Sequence, residues 1–285
     1  MSISSELRRA YLFLKNIKKL AIHDCNNFTR MANRVQEYTG NDIGYNVLDI
    51  GCGIRYPWTL LFHSYDIKVI GIDITSPRYN SREYSHVLQN HGLTQFIKRI
   101  VMELLINKIY HSALGEAAGI PMKFNNLDLR EMDAANTPYA NEEFDLIISN
   151  AVFEHLNKPE QVLREMKRIM KDGAIAHIGV HLFPSLTGGH NTIYDDPDIK
   201  EVVLGEIPAW DHLRQNLFPS AGYLNKLREA DWIEMFSKHF EILQCIKEYT
   251  EPDTYLTTAI SNELPQYTRD ELLNRSIIII ARKYK

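Results

Sequence analysis

Val47-Leu48-Asp49-Ile50-Gly51-Cys52-Gly53 decides the fold. An apolar-rich run ends there in two glycines one residue apart, as a buried strand does on entering a tight turn. Glycine at such a turn allows backbone conformations closed to other residues and lets a ligand approach the main chain. A second run, residues 68–72, leads into Gly71-Ile72-Asp73, which puts an acid 20 positions after Gly53. An acid at about that distance, at the end of the next strand, suits the holding of a ribose diol.

Outward from this pair, short β-rich runs between turn signals mark further strands. A weaker third spans 127–132, a fourth 144–149 and a fifth 174–181; two more, 240–249 and 276–282, come late in the chain. The four isoleucines at 277–280 suit a strand buried on both faces. Helical segments at 57–64, 77–90, 96–118 and 159–170 separate the earlier strands. Pro159 is favourable in a first helical turn. Lys171-Asp172-Gly173 supplies a cation and a glycine where a helix should stop. Alternating strands and helices imply a mostly parallel sheet covered on both faces. The last two strands lack a crossover helix and should end the sheet as an antiparallel pair. The expected fold is therefore α/β: a Rossmann-like, doubly wound sheet with two long inserts, 76–126 and 183–237, that carry helices of their own.

Bulk properties narrow the function. The chain has 285 residues, 45% of them hydrophobic, enough for one sizeable core. Its net charge of -4 leaves no general basic footprint for nonspecific nucleic-acid binding. Cys25, Cys52 and Cys245 are far apart and odd in number, which points to a reducing cytoplasm rather than to disulfides or zinc. The first 20 residues lack the continuous apolar core of a signal peptide. No apolar run is long enough to span a membrane. The charges within 96–118 make that segment amphipathic, fit for packing on the body, forming a lid or touching a membrane surface.

Several ordered motifs resemble class I methyltransferases. Residues 47–53 resemble the first motif of that family and residues 69–74 its second-strand motif. Met132-Asp133-Ala134 is similar to the acidic-then-small pair after the third strand. The run from Phe144-Asp145-Leu146-Ile147-Ile148-Ser149-Asn150 to Ala151-Val152-Phe153-Glu154-His155-Leu156 resembles the fourth-strand motif of the small-molecule group, of the methyltransferase domain 11 type. The resemblance covers about residues 45–181. It implies S-adenosyl-L-methionine as cofactor, with Asp49, Gly51, Cys52, Gly53, Asp73, Ile74, Asp133, Ala134 and Asn150 as its binding residues. Asp73 would take the ribose, the Asp133 carboxylate adenine N6 and the Ala134 amide the neighbourhood of N1. The resemblance further implies one domain over residues 1–285: a helical cap (1–44), a cofactor-binding core (45–182), a substrate-side insert (183–237) and the C-terminal strands (238–285). Arg55 stands where the third glycine of a dinucleotide fingerprint would be, which argues against a pyrophosphate ligand. It could pair with the methionyl carboxylate or serve the structure.

Methyl transfer to a hydroxyl needs alignment and usually a general base, for which histidine is the common choice near neutral pH. His181, at the carboxyl end of the fifth strand, faces differently from Val180. Gly188-Gly189 forms a close-approach loop that places His190. These two histidines are the candidate catalytic bases. Pro208-Ala209-Trp210-Asp211-His212-Leu213-Arg214 reads as a substrate-side wall, with Trp210, Asp211 and His212 as acceptor-binding residues. His181, His190 and Asp211 carry atoms that divalent metals accept, but nothing in the sequence fixes their geometry and no metal site is assigned. His155 reads as a structural histidine, and Cys52 as a small filler without a partner base.

The expected function is O-methylation of a small molecule or sugar. A nucleic-acid or protein methyltransferase would need a basic channel, to which Arg78, Arg82, Lys98, Arg99 and Lys108 could contribute. A nonenzymatic binder of the same cofactor and a nicotinamide dehydrogenase are the remaining alternatives.

Overall fold

The computed structural model describes residues 3–40, 46–75, 107–190, 207–220 and 222–284, with side chains from residue 15 onward. The chain divides into two compact units, Met1–Asp133 and Ala134–Lys285.

In the first unit, helix α1 (Ile3–Thr39) precedes strand β1 (Asn46–Ile50). Ile17, Ala21, Cys25, Phe28, Met31 and Val35 of α1 are buried, and their spacing of three and four residues makes one apolar stripe. All five residues of β1 are buried, as a strand covered on both faces requires. Helix α2 (Pro57–Ser64) follows, with proline in its first turn, and then strand β2 (Lys68–Asp73). Helix α3 (Asn107–Ala118) and strand β3 (Asp128–Glu131) complete the unit. β1 pairs in parallel with β2 from Asn46↔Lys68 to Ile50↔Ile72, and β2 with β3 from Ile70↔Asp128 to Asp73↔Glu131. The α1 stripe packs Phe28 edge-on against Phe62 of α2, with ring centroids 4.9 Å apart. Asp24 of α1 takes the Tyr110 hydroxyl of α3 on its carboxylate, and its carbonyl accepts the Trp58 indole N–H.

In the second unit, strand β4 (Phe144–Asn150) runs into a 3-10 turn (Phe153–His155) and helix α4 (Pro159–Ile169). Strand β5 (Met170–His181) follows α4 with no loop between. The insert at 183–237 ends in helix α5 (Glu229–Ser237), and strand β6 (Glu241–Thr250), two short helices, α6 (Thr258–Glu263) and α7 (Arg269–Leu273), and strand β7 (Asn274–Arg282) follow. β4 and β5 are parallel; β7 lies between β5 and β6 and is antiparallel to both. The strand order is β3-β2-β1 within the first unit and β4-β5-β7-β6 within the second.

One expectation is corrected here. Lys171-Asp172-Gly173 does not close a helix ahead of a strand at 174, because β5 already begins at Met170. Phe144 pairs with Met170 and Leu146 with Ile175, so the extra residues bulge out of the ladder. Lys171 reaches Asp145 at 2.7 Å from this bulge, and Gly173, at φ 77°, donates its N–H to Lys283 of the neighbouring edge. The expected helix at 77–90, the first part of the 96–118 segment, residues 191–206 and the basic candidates Arg78, Arg82, Lys98 and Arg99 lie outside the described residues.

The 3-10 turn after β4 buries a carboxylate. Phe153 packs against Trp232 and Phe236, and beside it Glu154 is only 4% exposed. Neither Glu154 oxygen makes a hydrogen bond of normal geometry. The amides of Glu154 and His181 favour the charged form, but burial outweighs them and pushes the carboxyl up to about 8. The folded chain therefore holds a proton that the unfolded chain releases near pH 4.5. Stability contributed below that pH is lost as the pH rises towards about 8. Glu154→Gln should gain in urea midpoint relative to the parent as pH rises across this window. A difference between the two that is the same at every pH contradicts the assignment.

Candidate active site

The glycine turn of the first unit is built against β2. Gly51 and Cys52 both donate their N–H to the Ile72 carbonyl, at 2.8 and 3.1 Å. Gly51 and Gly53 sit at φ 75° and 65°, the left-handed region that glycine occupies without strain. Gly53 donates its N–H to Oδ2 of Asp73 at 3.0 Å, while Oδ1 takes the N–H and hydroxyl of Thr75, each at 2.9 Å. A Cβ built on Gly53 would meet nothing within 4 Å, so open space lies before the turn. Ile74, which follows Asp73, is 69% exposed. A half-exposed carboxylate at the strand end, a bare turn and an exposed apolar side chain fit a nucleoside with a free diol.

Asp49 and Cys52 serve this turn from beneath. Asp49 is buried, accepts the Thr59 hydroxyl at 2.6 Å and is pushed up to about 7, chiefly by burial. It ties β1 to α2 and presents no exposed oxygen to a ligand. Cys52 is buried, with its thiol pushed up by burial and by Asp49 and Asp73, so it remains a thiol filler. Gly71 makes room for both neighbours, because a Cβ there would stand 2.7 Å from Thr59 Oγ1 and 3.1 Å from Cys52 Sγ. The Arg55 guanidinium lies over the Tyr110 ring, 5.3 Å from its centroid, and the Arg55 carbonyl bonds to His111. Asp133, just past β3, is exposed; Ala134 opens the second unit and is half-buried.

In the second unit, Asn150 ends β4 and is exposed. Its side chain crosses Gly179 of β5, where a Cβ would stand 2.4 Å from Asn150 Oδ1. Beyond β5 the chain folds into a buried loop. Thr187 donates its N–H, at 3.2 Å, and its hydroxyl to Oε1 of buried Glu251. His181 Nε2 lies 2.9 Å from the Thr187 hydroxyl, and His181 Nδ1 lies 2.8 Å from Nε2 of His190. His155 approaches His190 edge-on, with centroids 4.9 Å apart, and its own Nδ1 bonds to the Tyr223 carbonyl. Burial is the main cause that lowers His181 far below the ordinary histidine range and His190 to about 4; neighbouring cations add to it. Both rings are therefore neutral near pH 7. The two expected bases meet in space.

The expected substrate wall is reassigned in part. Trp210, 1% exposed, packs with Leu186, Leu256, Leu264 and Leu272 and donates its indole N–H to Pro184. Asp211 is buried and accepts the backbone N–H groups of Leu217 and Phe218. Both hold the insert together and show no surface to an acceptor. His212 is half-buried, bonds to the Phe183 carbonyl at 2.8 Å and is lowered to about 4, mainly by burial. Gly188 and Gly189 make a close approach as expected, but within a packed loop: a Cβ would stand 2.3 Å from the Phe183 carbonyl oxygen and 2.5 Å from the His212 ring respectively. Sequence reasoning missed Thr187, Glu251 and Asn225. Asn225 bonds to the carbonyls of Phe153, Glu154 and Leu156 and pins the insert to the turn after β4. Glu251 sits in no motif, and its partner is 64 positions away.

A family profile described as a methyltransferase domain matches residues 48–178. Ajmaline N-methyltransferase from Rauvolfia serpentina is 30% identical over 166 residues, 58% of this chain and 46% of that protein. Methyltransferase GfsG from Streptomyces halstedii is 28% identical over 154 residues, 53% of this chain and 44% of that one. The matched segments thus span under half the length of these curated relatives. A SAM-dependent methyltransferase structure from Methanosarcina mazei is 16% identical and covers 88% of this chain and 96% of its own, with a TM-score of 0.45. The profile match begins at the glycine turn and ends within β5, across the segment that carries the motifs. Residues 48–178 are thus similar to a methyltransferase domain.

Proposed function

We propose that this protein methylates a hydroxyl of a small molecule, sugar or glycan, with His190 as the base that takes the hydroxyl proton. Bound S-adenosylmethionine supplies an electrophilic methyl group on a sulfonium. Asp73 holds the ribose diol, Gly51 and Gly53 let the ligand lie against the main chain, and Ile74, Asp133, Ala134 and Asn150 complete the cofactor contacts. His212 faces the acceptor. The observation that carries the reading is the contact of His190 with His181 in a buried, neutral pair. A neutral imidazole has a lone pair to offer at physiological pH. The close fit of the loop around His190 supports alignment and exclusion of water.

The reading includes a cytoplasmic location. All three cysteines are free, and no helix among the described residues is long and apolar enough to cross a membrane. A nitrogen acceptor is the second reading, favoured by the likeness to the N-methyltransferase from Rauvolfia serpentina.

Asp73→Ala should weaken S-adenosylhomocysteine binding about 10- to 100-fold in calorimetric titration, because hydrogen bonds to a charged group are worth roughly 1.5–3 kcal/mol. Unchanged affinity would remove Asp73 from the site. His190→Ala should lower kcat by about 100-fold or more at unchanged cofactor affinity, the usual contribution of a general base. A panel of hydroxyl and amine acceptors decides between the two readings, and full turnover by His190→Ala rejects the base.

A further inference from the structure

We propose that Glu251 and Thr187 are positioning residues that set the ring tautomers of His181 and His190, leaving Nδ1 of His190 as the lone pair that receives the acceptor's proton. The inference rests on the reading of His190 as the base and extends it to two residues outside the family motifs.

The chain of hydrogen bonds admits one direction. Thr187 has a single hydroxyl proton, and it is directed at the Glu251 carboxylate. The same oxygen lies 2.9 Å from Nε2 of His181 and can only accept there, so His181 carries its proton on Nε2. Burial keeps that ring neutral, which leaves its Nδ1 as an acceptor. Nε2 of His190, 2.8 Å away, must then be the donor. With its proton on Nε2, neutral His190 has its lone pair on Nδ1. The backbone reinforces the placement: His190 is held at φ 47°, and its N–H bonds to the carbonyl of the same Thr187 at 3.2 Å.

This arrangement resolves a tension in the site. Burial makes His190 a weak base, since its cationic form is disfavoured to about 4. A base whose new charge is met by a buried carboxylate through three polarised hydrogen bonds recovers part of that loss at the moment of transfer. In the step itself the acceptor O–H bond breaks and its proton moves to Nδ1 of His190. The electron pair stays on oxygen for the bond to the methyl carbon, whose bond to the sulfonium would break with its own pair retained on sulfur, so that S-adenosylhomocysteine leaves. Thr187, His181 and Glu251 keep their protonation states throughout, as the carboxylate of a hydrolase triad does.

Glu154, His181 and His190 also bring ligand-type atoms within 4.8 Å of one another. In the proposed tautomers both nitrogens of His181 are engaged, Nε2 with Thr187 and Nδ1 with His190, which leaves that ring no lone pair for a cation.

The test is nitrogen NMR of the full-length protein labelled at histidine rings. The wild type should show His181 and His190 each protonated on Nε2 with a bare Nδ1. Thr187→Val should give mixed tautomers at both rings and a kcat loss of about 10-fold or more, with S-adenosylhomocysteine affinity unchanged. Thr187→Ser should restore both. A His190 that carries its proton on Nδ1 in the wild type overturns the proposal, and this reading needs no variant to fold. So does a folded Thr187→Val whose ring signals match the wild type, or stoichiometric zinc displacing both sets of ring signals. Turnover of His190→Ala judges the base itself, while the tautomers judge the relay, so the two claims fail separately.

Discussion

The bond from the Gly53 amide to the Asp73 carboxylate is the constraint on which the cofactor half depends. It closes a circuit in which β1 and β2 pair in parallel, the turn after β1 spends its first two amides on the Ile72 carbonyl, and the third amide reaches the acid at the end of β2. The turn is therefore held from the side of β2 at three successive positions, while the opposite side stays open for a ligand. Beneath it Gly71 has no side chain, which admits Thr59 and Cys52 and lets Asp49 be buried against Thr59. Each residue of the motif is explained by this packing without any appeal to a bound ligand.

The second unit solves a different problem: carrying polar rings into a buried loop. Residues 183–190 turn back on the end of β5, and this is possible because Gly188 and Gly189 let carbonyls and an imidazole approach closer than any Cβ allows. Every imidazole in this region, His155, His181, His190 and His212, has a nitrogen bonded to a carbonyl, a hydroxyl or another ring. Such a buried polar network holds its members in single geometries because a broken link leaves a desolvated group unmatched. Trp210 and Asp211 contribute by fixing the insert that backs this loop, the first through its core cluster and the second by gathering two backbone amides.

The strands and their order of use were legible because local patterning carries them: five buried residues in β1, the isoleucine run of β7, proline at the starts of α2 and α4. The spacing from Gly53 to Asp73 is legible because the turn that holds Gly53 follows β1 and Asp73 ends the adjacent parallel strand β2. The start of β5 was misread because Lys171-Asp172-Gly173 has the composition of a helix stop, while the pairing with β4 and β7 that absorbs it as a bulge is long-range. Trp210 and Asp211 were read as a ligand surface on residue type alone. What buries them is Leu256, Leu264 and Leu272 and the turn at 217–218, contacts that no local pattern announces. Glu251 escaped notice for the same reason.

The most direct test of the central claim, a site for an S-adenosyl nucleoside at the β1 turn, is calorimetric titration of the wild-type chain with S-adenosylhomocysteine and, separately, with a nicotinamide dinucleotide. One-to-one binding of the former and none of the latter is the predicted result. Failure to bind S-adenosylhomocysteine, or tight binding of the dinucleotide in its place, would contradict the account.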